Sequence, residues 1–248
     1  MSVVRVLGVN GSPRKYGNTF KLLTVALRAA AMEGAETKLI HLYDYRIEPC
    51  IGCLCDVQES CRYPCVIEDD MRLLYDEVLK ADALIIATPI YWYQPSGVVK
   101  NFLDRLTALE NMIFVDGHSW VEGKVAGVIA AGNDSGLVMA ASCLLSTLIS
   151  MGFMVPPFSM VGFNTEGDAL DDPAVVSDAA NLGRNVALLA KLVKGFKGVW
   201  YDARLKEWGL REAASVREEA ARLREKEIAE RMKRIGRLLE GSEPRASP

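Results

Sequence analysis

Three short apolar segments, each leading into a loop of small residues and then a helical segment, constrain the fold of this chain more than any other feature. The segments are residues 3–9, 83–88 and 124–131. This alternation is typical of parallel α/β sheets, and apolar segments at 37–42 and 159–163 add two strands. We therefore predict an α/β chain with a doubly wound, five-stranded parallel sheet of order 2-1-3-4-5. In that order the loops after the first, third and fourth strands meet where ligands bind, so they predict one site.

The first of these loops, residues 11–19, has the composition of a phosphate-binding loop. The helix that follows begins with unpaired backbone N–H groups and a partial positive charge. Ser12, Asn18 and Thr19 add side-chain donors, and Arg14 adds a full charge. The Gly-Lys-Ser/Thr sequence of nucleoside-triphosphate loops is absent, so we predict a site for a small phosphomonoester. The alternative is an ordinary polar turn capped by Thr19.

The second and third loops are suited to a planar ligand. Two prolines and a glycine bracket Tyr91, Trp92 and Tyr93 within residues 89–97, which makes a stiff segment with flat apolar faces. The third loop, 132–136, is rich in small residues that let a ligand approach the backbone closely. Alternatively, the aromatic side chains close the end of the core. Because three adjacent side chains cannot all point inward, we expect at least one of them to be exposed.

A dense group of cysteines lies between the second strand and the next helix. Its members are Cys50, Cys53, Cys55, Cys61 and Cys65. A structureless loop of this length is usually functional or held together by something. Four thiolates bind a [4Fe–4S] cluster or zinc, and disulfides are the third alternative. The residues alone leave these three alternatives open.

Two groups of charged residues have simple structural interpretations. Asp69 and Asp70 stand just before a helical segment, so we interpret them as a helix cap with first-turn charge. Lys100, Asp104 and Arg105 lie on the helical segment after the second loop, where an ion pair on the helix surface explains them. Neither group is assigned a catalytic role.

Taken together and in order, the motifs resemble those of a known family. The chain reads Gly-Ser-Pro-Arg-Lys-Tyr-Gly-Asn-Thr at 11–19, Thr-Pro-Ile-Tyr-Trp-Tyr at 88–93 and Lys-Asn-Phe-Leu-Asp-Arg at 100–105. Over about residues 3–195 it resembles the flavodoxin-like NAD(P)H-dependent FMN reductases and their relatives, the iron–sulfur flavoproteins. The ordered combination is far more specific than any one loop.

The resemblance implies a set of residues that bind FMN. Those expected at the phosphate are Ser12, Arg14, Asn18 and Thr19, and those expected at the isoalloxazine ring are Pro89, Ile90, Tyr91, Trp92 and Gly132. No side chain is expected to act as an acid, base or nucleophile, because the chemistry takes place on N5 of FMN. NAD(P)H is the expected electron donor.

The cysteine segment resembles that of the iron–sulfur flavoproteins, which place a compact cysteine motif before an Asp-Asp-Met-like helix start. Asp56 stands where that motif has its third cysteine. The candidate ligands of a [4Fe–4S] cluster are Cys50, Cys53, Cys61 and Cys65, and Cys55 is an alternative to either of the last two.

The rest of the chain defines its organisation and partners. We expect a flavodoxin-like FMN-binding domain at 1–195, with a cysteine-rich insertion at 45–69, and a long C-terminal helical extension with a tail at 196–248. The apolar stripe of that helix changes register between Leu223 and Ile228. Because a highly charged helix needs a surface to cover its apolar side, we expect a homodimer or homotetramer.

Charge and hydropathy exclude other classes of partner. The net charge of -3 gives no reason to expect a nucleic-acid ligand. No apolar run approaches the length of a membrane span, and the first residues lead directly into a strand, so we expect a cytoplasmic protein.

Three functions are compatible with these features. The first is an FMN-dependent NAD(P)H oxidoreductase that reduces flavin, a quinone or another small acceptor. The second is an iron–sulfur flavoprotein that relays electrons from ferredoxin through a [4Fe–4S] cluster to FMN. The third is a flavin-binding module with a stapled loop and no turnover.

Overall fold

The computed structural model describes residues 3–240, and the predicted tail at 241–248 lies outside the described residues. The strands are β1 (Arg5–Asn10), β2 (Glu36–His41), β3 (Ala83–Tyr91), β4 (Gln94–Pro95), β5 (Val125–Gly132) and β6 (Met160–Asn164). The α-helices are α1 (Asn18–Met32), α2 (Met71–Lys80), α3 (Gly97–Glu110), α4 (Leu137–Ser150), α5 (Pro173–Val193) and α6 (Leu205–Glu240). Short 3₁₀ turns occupy parts of the connections, including two in the cysteine-rich segment.

Five strands form one parallel sheet in the order β2-β1-β3-β5-β6. The predicted α/β fold is confirmed, because β5 and β6 are the fourth and fifth parallel strands of the expected order. In the centre of the sheet Ile86 pairs with Val9 on one side and with Val128 on the other. The sequence did not predict β4, a two-residue strand that folds back antiparallel onto the end of β3.

Helices cover both faces of the sheet, which is why the central strands are almost entirely apolar. One face packs against α2, α3 and α4, with Leu74, Phe102 and Leu144 fully buried. The other face packs against α1 and α5, with Leu23 and Val186 fully buried. At the carboxyl ends of β1, β3 and β5 the chain enters the three loops that were predicted from the sequence to form one site.

The backbones of α1 and α5 almost touch. A Cβ atom added to Gly183 would lie 1.8 Å from the carbonyl oxygen of Ala26, far inside van der Waals contact. Only glycine therefore fits at position 183, and the pair of helices is held close to β1 and β5. This packing fixes the helix whose first turn follows the predicted phosphate loop.

The chain divides into two compact units, with the division between Trp200 and Tyr201. The second unit consists mainly of α6, a single helix of 36 residues. The apolar side chains along it, including Leu223 and Ile228, are exposed. Within residues 3–240, no helix combines the length and the apolar character that crossing a bilayer requires.

Candidate functional site

The first loop is organised by Asn10, a fully buried residue at the end of β1. Its side-chain oxygen accepts a hydrogen bond from the backbone N–H of Ser12 at 3.1 Å. Its amide nitrogen donates to the carbonyl of Lys15 at 3.1 Å and pairs with Nδ1 of His41 at 2.9 Å. Sequence reasoning missed Asn10, because a single asparagine at a strand end does not show which backbone groups it will contact.

The first turn of α1 offers backbone N–H groups that no side chain caps. Gly17, with an extended backbone, is the N-cap residue, and within the part of the chain that the structure describes no side chain caps the first N–H groups of this helix. The alternative in which Thr19 caps the turn is therefore wrong. Thr19 and Ser12 are buried beside this turn, and the Ser12 hydroxyl accepts a hydrogen bond from the N–H of Arg14 at 3.2 Å. The arrangement suits an anion.

The two cations of the loop differ in their partners. Lys15 pairs with Asp44 at 2.7 Å, which raises the pKa of the lysine. Arg14 is exposed, and within residues 3–237 its guanidinium makes neither an ion pair nor a side-chain hydrogen bond. Arg14 is therefore available to an anionic ligand, and Lys15 is already engaged.

Asn18 is a predicted phosphate ligand whose amide instead connects two loops. Its nitrogen donates to the carbonyl of Gly167 at 2.9 Å, and its oxygen accepts from the N–H of Ala169 at 3.1 Å. These bonds bring the loop after β6 to the start of α1. Sequence reasoning did not include that loop in the site, since the contact joins residues about 150 positions apart.

The second loop is a tight hairpin between β3 and β4. Trp92 and Tyr93 occupy its two central positions with φ angles of 49° and 66°, as a type I′ turn requires. The prediction that an aromatic side chain is exposed is confirmed, because Trp92 is 91% exposed. The hairpin packs on the third loop at Gly136, where an added Cβ would lie 2.8 Å from the Cα of Tyr93.

Replacing Trp92 with asparagine should increase the free energy of unfolding by about 1 kcal/mol. A bulky residue in the left-handed region costs about 1–2 kcal/mol, whereas asparagine tolerates it. The tryptophan ring loses little burial, since it is almost fully exposed. Urea denaturation measures the change. Trp92→Ala removes the same ring without the left-handed preference, so an equal gain in that variant would contradict the argument.

The three predicted loops, together with Gly167 of the loop after β6, enclose a cavity of about 560 Å³ at the carboxyl ends of the strands. This volume lies within the usual range for small-molecule sites. Eight of the nine residues predicted to bind the cofactor line it, and Trp92 does not. The full lining is Ser12, Arg14, Gly17, Asn18, Thr19, Pro89, Ile90, Tyr91, Ala131, Gly132, Asn133, Asp134 and Gly167.

Another buried polar atom lies behind the cavity wall. The side-chain oxygen of Asn164, at the end of β6, has no hydrogen-bond partner within the described residues. An added Cβ on Gly132 would lie 2.9 Å from this oxygen. Buried acceptors are normally satisfied, so this oxygen is an exception, but Asn164 is not among the residues that line the cavity.

A second cavity, of about 570 Å³, lies at the opposite end of the sheet. Its charged groups bond to one another and to the backbone. Lys124, whose pKa burial lowers to about 8, donates to the carbonyl of Leu79 at 3.1 Å near the end of α2. Lys194 pairs with Asp82 at 2.7 Å. These contacts explain the residues structurally, so the cavity between the three loops is the stronger candidate site.

In the cysteine-rich segment four thiols approach one another. Cys61 is buried, and burial together with Cys53, Cys50 and Cys65 raises its pKa to about 12. The sulfur of Cys50 accepts a hydrogen bond from the N–H of Gly52 at 3.4 Å. Cys55 is exposed and is not among the groups that act on Cys61. Cys50, Cys53 and Cys65 thus lie near Cys61, although within residues 3–237 no three metal-binding side chains are already arranged around a metal position.

Arg105 corrects the interpretation of the charged residues on α3. Lys100 and Asp104 form the predicted surface ion pair at 2.6 Å. Arg105 is only 1% exposed and binds both oxygens of Asp69, at 2.7 and 3.1 Å. Asp69 does contribute to the start of α2, where it accepts from the N–H of Met71 at 3.1 Å. Its second and larger role, a buried ion pair with α3, was not predicted because the partners are 36 residues apart.

Comparison with known proteins agrees with this geometry. The model of the NADPH-dependent FMN reductase family matches residues 4–167. An iron–sulfur flavoprotein of Methanocaldococcus jannaschii is 31% identical over 201 residues, which cover 77% of this chain and all of that protein. A Bacillus subtilis protein named as an NAD(P)H-dependent FMN-containing oxidoreductase is 30% identical over 183 residues, 72% of this chain and 96% of the relative.

Solved structures share the fold at lower identity. RosB with a bound riboflavin-phosphate intermediate has a TM-score of 0.68 at 20% identity, covering 85% of this chain and 88% of RosB. An NADH:FMN oxidoreductase, EmoB in its apo form, has a TM-score of 0.55 at 24% identity, covering 75% and 89%. The matched family model and the relatives of similar length decide the assignment. The chain belongs to the NADPH-dependent FMN reductase family.

Proposed function

We propose that this chain is an FMN-dependent NAD(P)H oxidoreductase that reduces free flavin, a quinone or another small acceptor. The observation that carries the proposal is the cavity between the three loops. One end of it has an uncapped helix start and the unpaired Arg14. The remaining wall, with Pro89, Ile90 and Tyr91, comes from the end of β3.

The residues present fit FMN. In this proposal Ser12, Arg14, Thr19 and the first N–H groups of α1 hold the phosphate, while Asn18 holds the loop at Gly167 in place. Bound FMN supplies hydride and single-electron transfer. The protein supplies binding and orientation.

In this proposal the hairpin between β3 and β4 determines which molecules reach the isoalloxazine ring of FMN. Tyr91 lines the cavity and is about half exposed, and Trp92 stands at the hairpin tip beside it. Flat aromatic faces at the open side suit the nicotinamide of NAD(P)H and a planar acceptor. Trp92 therefore remains in the proposed flavin site as a covering side chain.

Arg14→Ala should weaken FMN binding by about 10- to 100-fold. Hydrogen bonds to charged groups contribute about 1.5–3 kcal/mol, and no other cation of this loop is free to replace the guanidinium. Titration of the apoprotein, followed by the quenching of FMN fluorescence, measures the dissociation constant. Lys15→Ala is the matched control, since Lys15 is engaged with Asp44. Equal effects of the two substitutions would argue against the phosphate assignment.

The approach of four thiols favours a second candidate function. We propose as the alternative an iron–sulfur flavoprotein in which Cys50, Cys53, Cys61 and Cys65 hold a [4Fe–4S] cluster that relays electrons from ferredoxin to FMN. The name of the Methanocaldococcus relative supports it, as does the chemistry of the donor set, because such clusters take four thiolates.

One experiment separates the two functions. Protein purified without oxygen is analysed for FMN, iron and sulfide, and then mixed with NADPH, NADH or reduced ferredoxin. Flavin without iron, together with rapid bleaching by a pyridine nucleotide, supports the reductase. About four iron and four sulfide per chain, with faster reduction by ferredoxin, supports the alternative. Protein that neither contains nor binds FMN contradicts both.

We also propose a cytoplasmic homodimer or homotetramer. The exposed apolar side chains of α6, including Leu223 and Ile228, support association, because a highly charged helix is stable only when its apolar side is covered. The molar mass of the full chain by light scattering distinguishes monomer, dimer and tetramer.

A further inference from the structure

Arg105 contacts both ends of the cysteine-rich loop. Its Nη1 donates to the carbonyl of Glu48 at 3.1 Å, two residues before Cys50, and its Nη2 lies 3.4 Å from the carbonyl of Ile67, two residues after Cys65. Asp69 completes a ring of contacts, because the same carboxylate that binds Arg105 also accepts from the N–H of Glu48 at 2.8 Å. One guanidinium thus joins the entry and the exit of the loop.

The remaining donor of this guanidinium has no partner. Nε of Arg105 is buried and makes no hydrogen bond within the described residues. The N–H groups of Nη1 and Nη2 are therefore the ones that contact Asp69 and the two loop ends.

Tyr75 holds the backbone at Arg105 in place. It is fully buried on α2, and its hydroxyl donates to the carbonyl of Arg105 at 2.7 Å. This bond ties α2, which follows the cysteine-rich loop, to the helix that carries Arg105.

We infer that Arg105 is a positioning residue for the cysteine loop, which clamps the two loop ends through Asp69, Glu48 and Ile67. The inference rests on the alternative function proposed above. The clamp joins the residues that flank Cys50 and Cys65, so it restricts the positions that these thiols can take when a metal binds.

If Arg105 and Asp69 served only to stabilise the core, apolar side chains could replace both without loss of stability. Substituting a buried pair by apolar side chains of similar size is often neutral or stabilising. Clamping the two loop ends requires a planar guanidinium with several N–H donors, which lysine and methionine lack. The inference therefore predicts that an apolar pair preserves the fold and loosens the cysteine loop.

The test uses the full chain, loaded with FMN, reduced and freed of iron by a chelator, with Co²⁺ alone as the probe. The variants are the pair Asp69→Leu/Arg105→Met and the single Arg105→Lys. The matched control is Lys100→Ala/Asp104→Ala, which removes the exposed ion pair of the same helix. Thiolate–cobalt bands beyond the flavin absorption give the dissociation constant, and thermal denaturation and FMN affinity report the fold.

We expect the apolar pair and Arg105→Lys to weaken Co²⁺ binding by about 10- to 100-fold, the usual effect of altering residues that orient metal ligands, with FMN affinity unchanged. The control should bind Co²⁺ like the unmodified protein.

Three results would overturn the inference. They are Co²⁺ affinity within twofold of the unmodified protein in a folded variant, no Co²⁺ binding by the unmodified protein, and loss of FMN binding and fold in both variants. The last would show that the ion pair supports the whole domain and not the loop. Failure of the proposed function is detected separately, by the iron, sulfide and FMN content of the unmodified protein.

Discussion

Gly183→Ala should destabilise this protein by about 3 kcal/mol, although the same change stabilises most helices. Alanine is favoured over glycine in a helix by about 1 kcal/mol, so helix propensity alone predicts a gain. At position 183 the new methyl carbon would lie 1.8 Å from the carbonyl oxygen of Ala26. The two helices must separate, and overpacking of this kind typically costs 1–3 kcal/mol or more. The cost of separating the helices exceeds the gain in helix propensity, so the variant should be less stable.

The consequence should extend to the flavin site. α1 begins at the proposed phosphate loop, so moving the helix displaces Thr19 and the first N–H groups relative to Arg14. Urea denaturation gives the stability change, and FMN titration gives the loss of affinity. Gly195→Ala is the control, because an added Cβ there meets nothing within 4 Å. A stabilised Gly183→Ala variant would show that α1 and α5 are not in backbone contact.

Cys53→Ser should abolish the proposed cluster, and Cys55→Ser should leave it intact. Cys53 is partly buried and lies near enough to Cys61 to raise the pKa of that buried thiol. Cys55, two residues further on, is exposed and is not among the groups acting on Cys61. A [4Fe–4S] cluster that loses one of its four thiolate ligands is expected to be lost from purified protein.

Iron and sulfide analysis of protein purified without oxygen measures this prediction. We expect a fall from about four iron per chain to almost none in Cys53→Ser, with FMN content unchanged, and no ferredoxin-dependent reduction of the flavin. Cys55→Ser should retain both iron and electron transfer. The reverse pattern would assign Cys55 as a ligand, and equal iron in all three proteins would rule out a cluster bound by Cys53.

Local patterns in the sequence were sufficient to predict the parallel sheet and the position of the cavity. The apolar segments at 83–88 and 124–131 are continuous along the chain, and strands buried on both faces need such runs. The strand order was predicted from the doubly wound arrangement, which places the ends of β1, β3 and β5 side by side. Each of these signals is contained in a few neighbouring residues.

Contacts between residues far apart in the sequence could not be predicted from these local patterns. Asn18 joins Gly167, and Arg105 joins Asp69 and both ends of the cysteine loop, yet none of these residues carries a local mark of its partner. Arg105 shows the difficulty best: its spacing from Lys100 suits an exposed helix face, but the fold places it in the core.

The sequence by itself determined the α/β class, the strand order and the three loops, because hydrophobic periodicity and turn chemistry act over a few residues. Only the tertiary structure decided which polar groups the site has free. Lys15 and Asn18 are engaged by distant partners and Arg14 is not, while three of the other four clustered cysteines lie near Cys61. The physical reason is that hydrogen bonds and ion pairs depend on distances in space, which the packing of helices on the sheet sets.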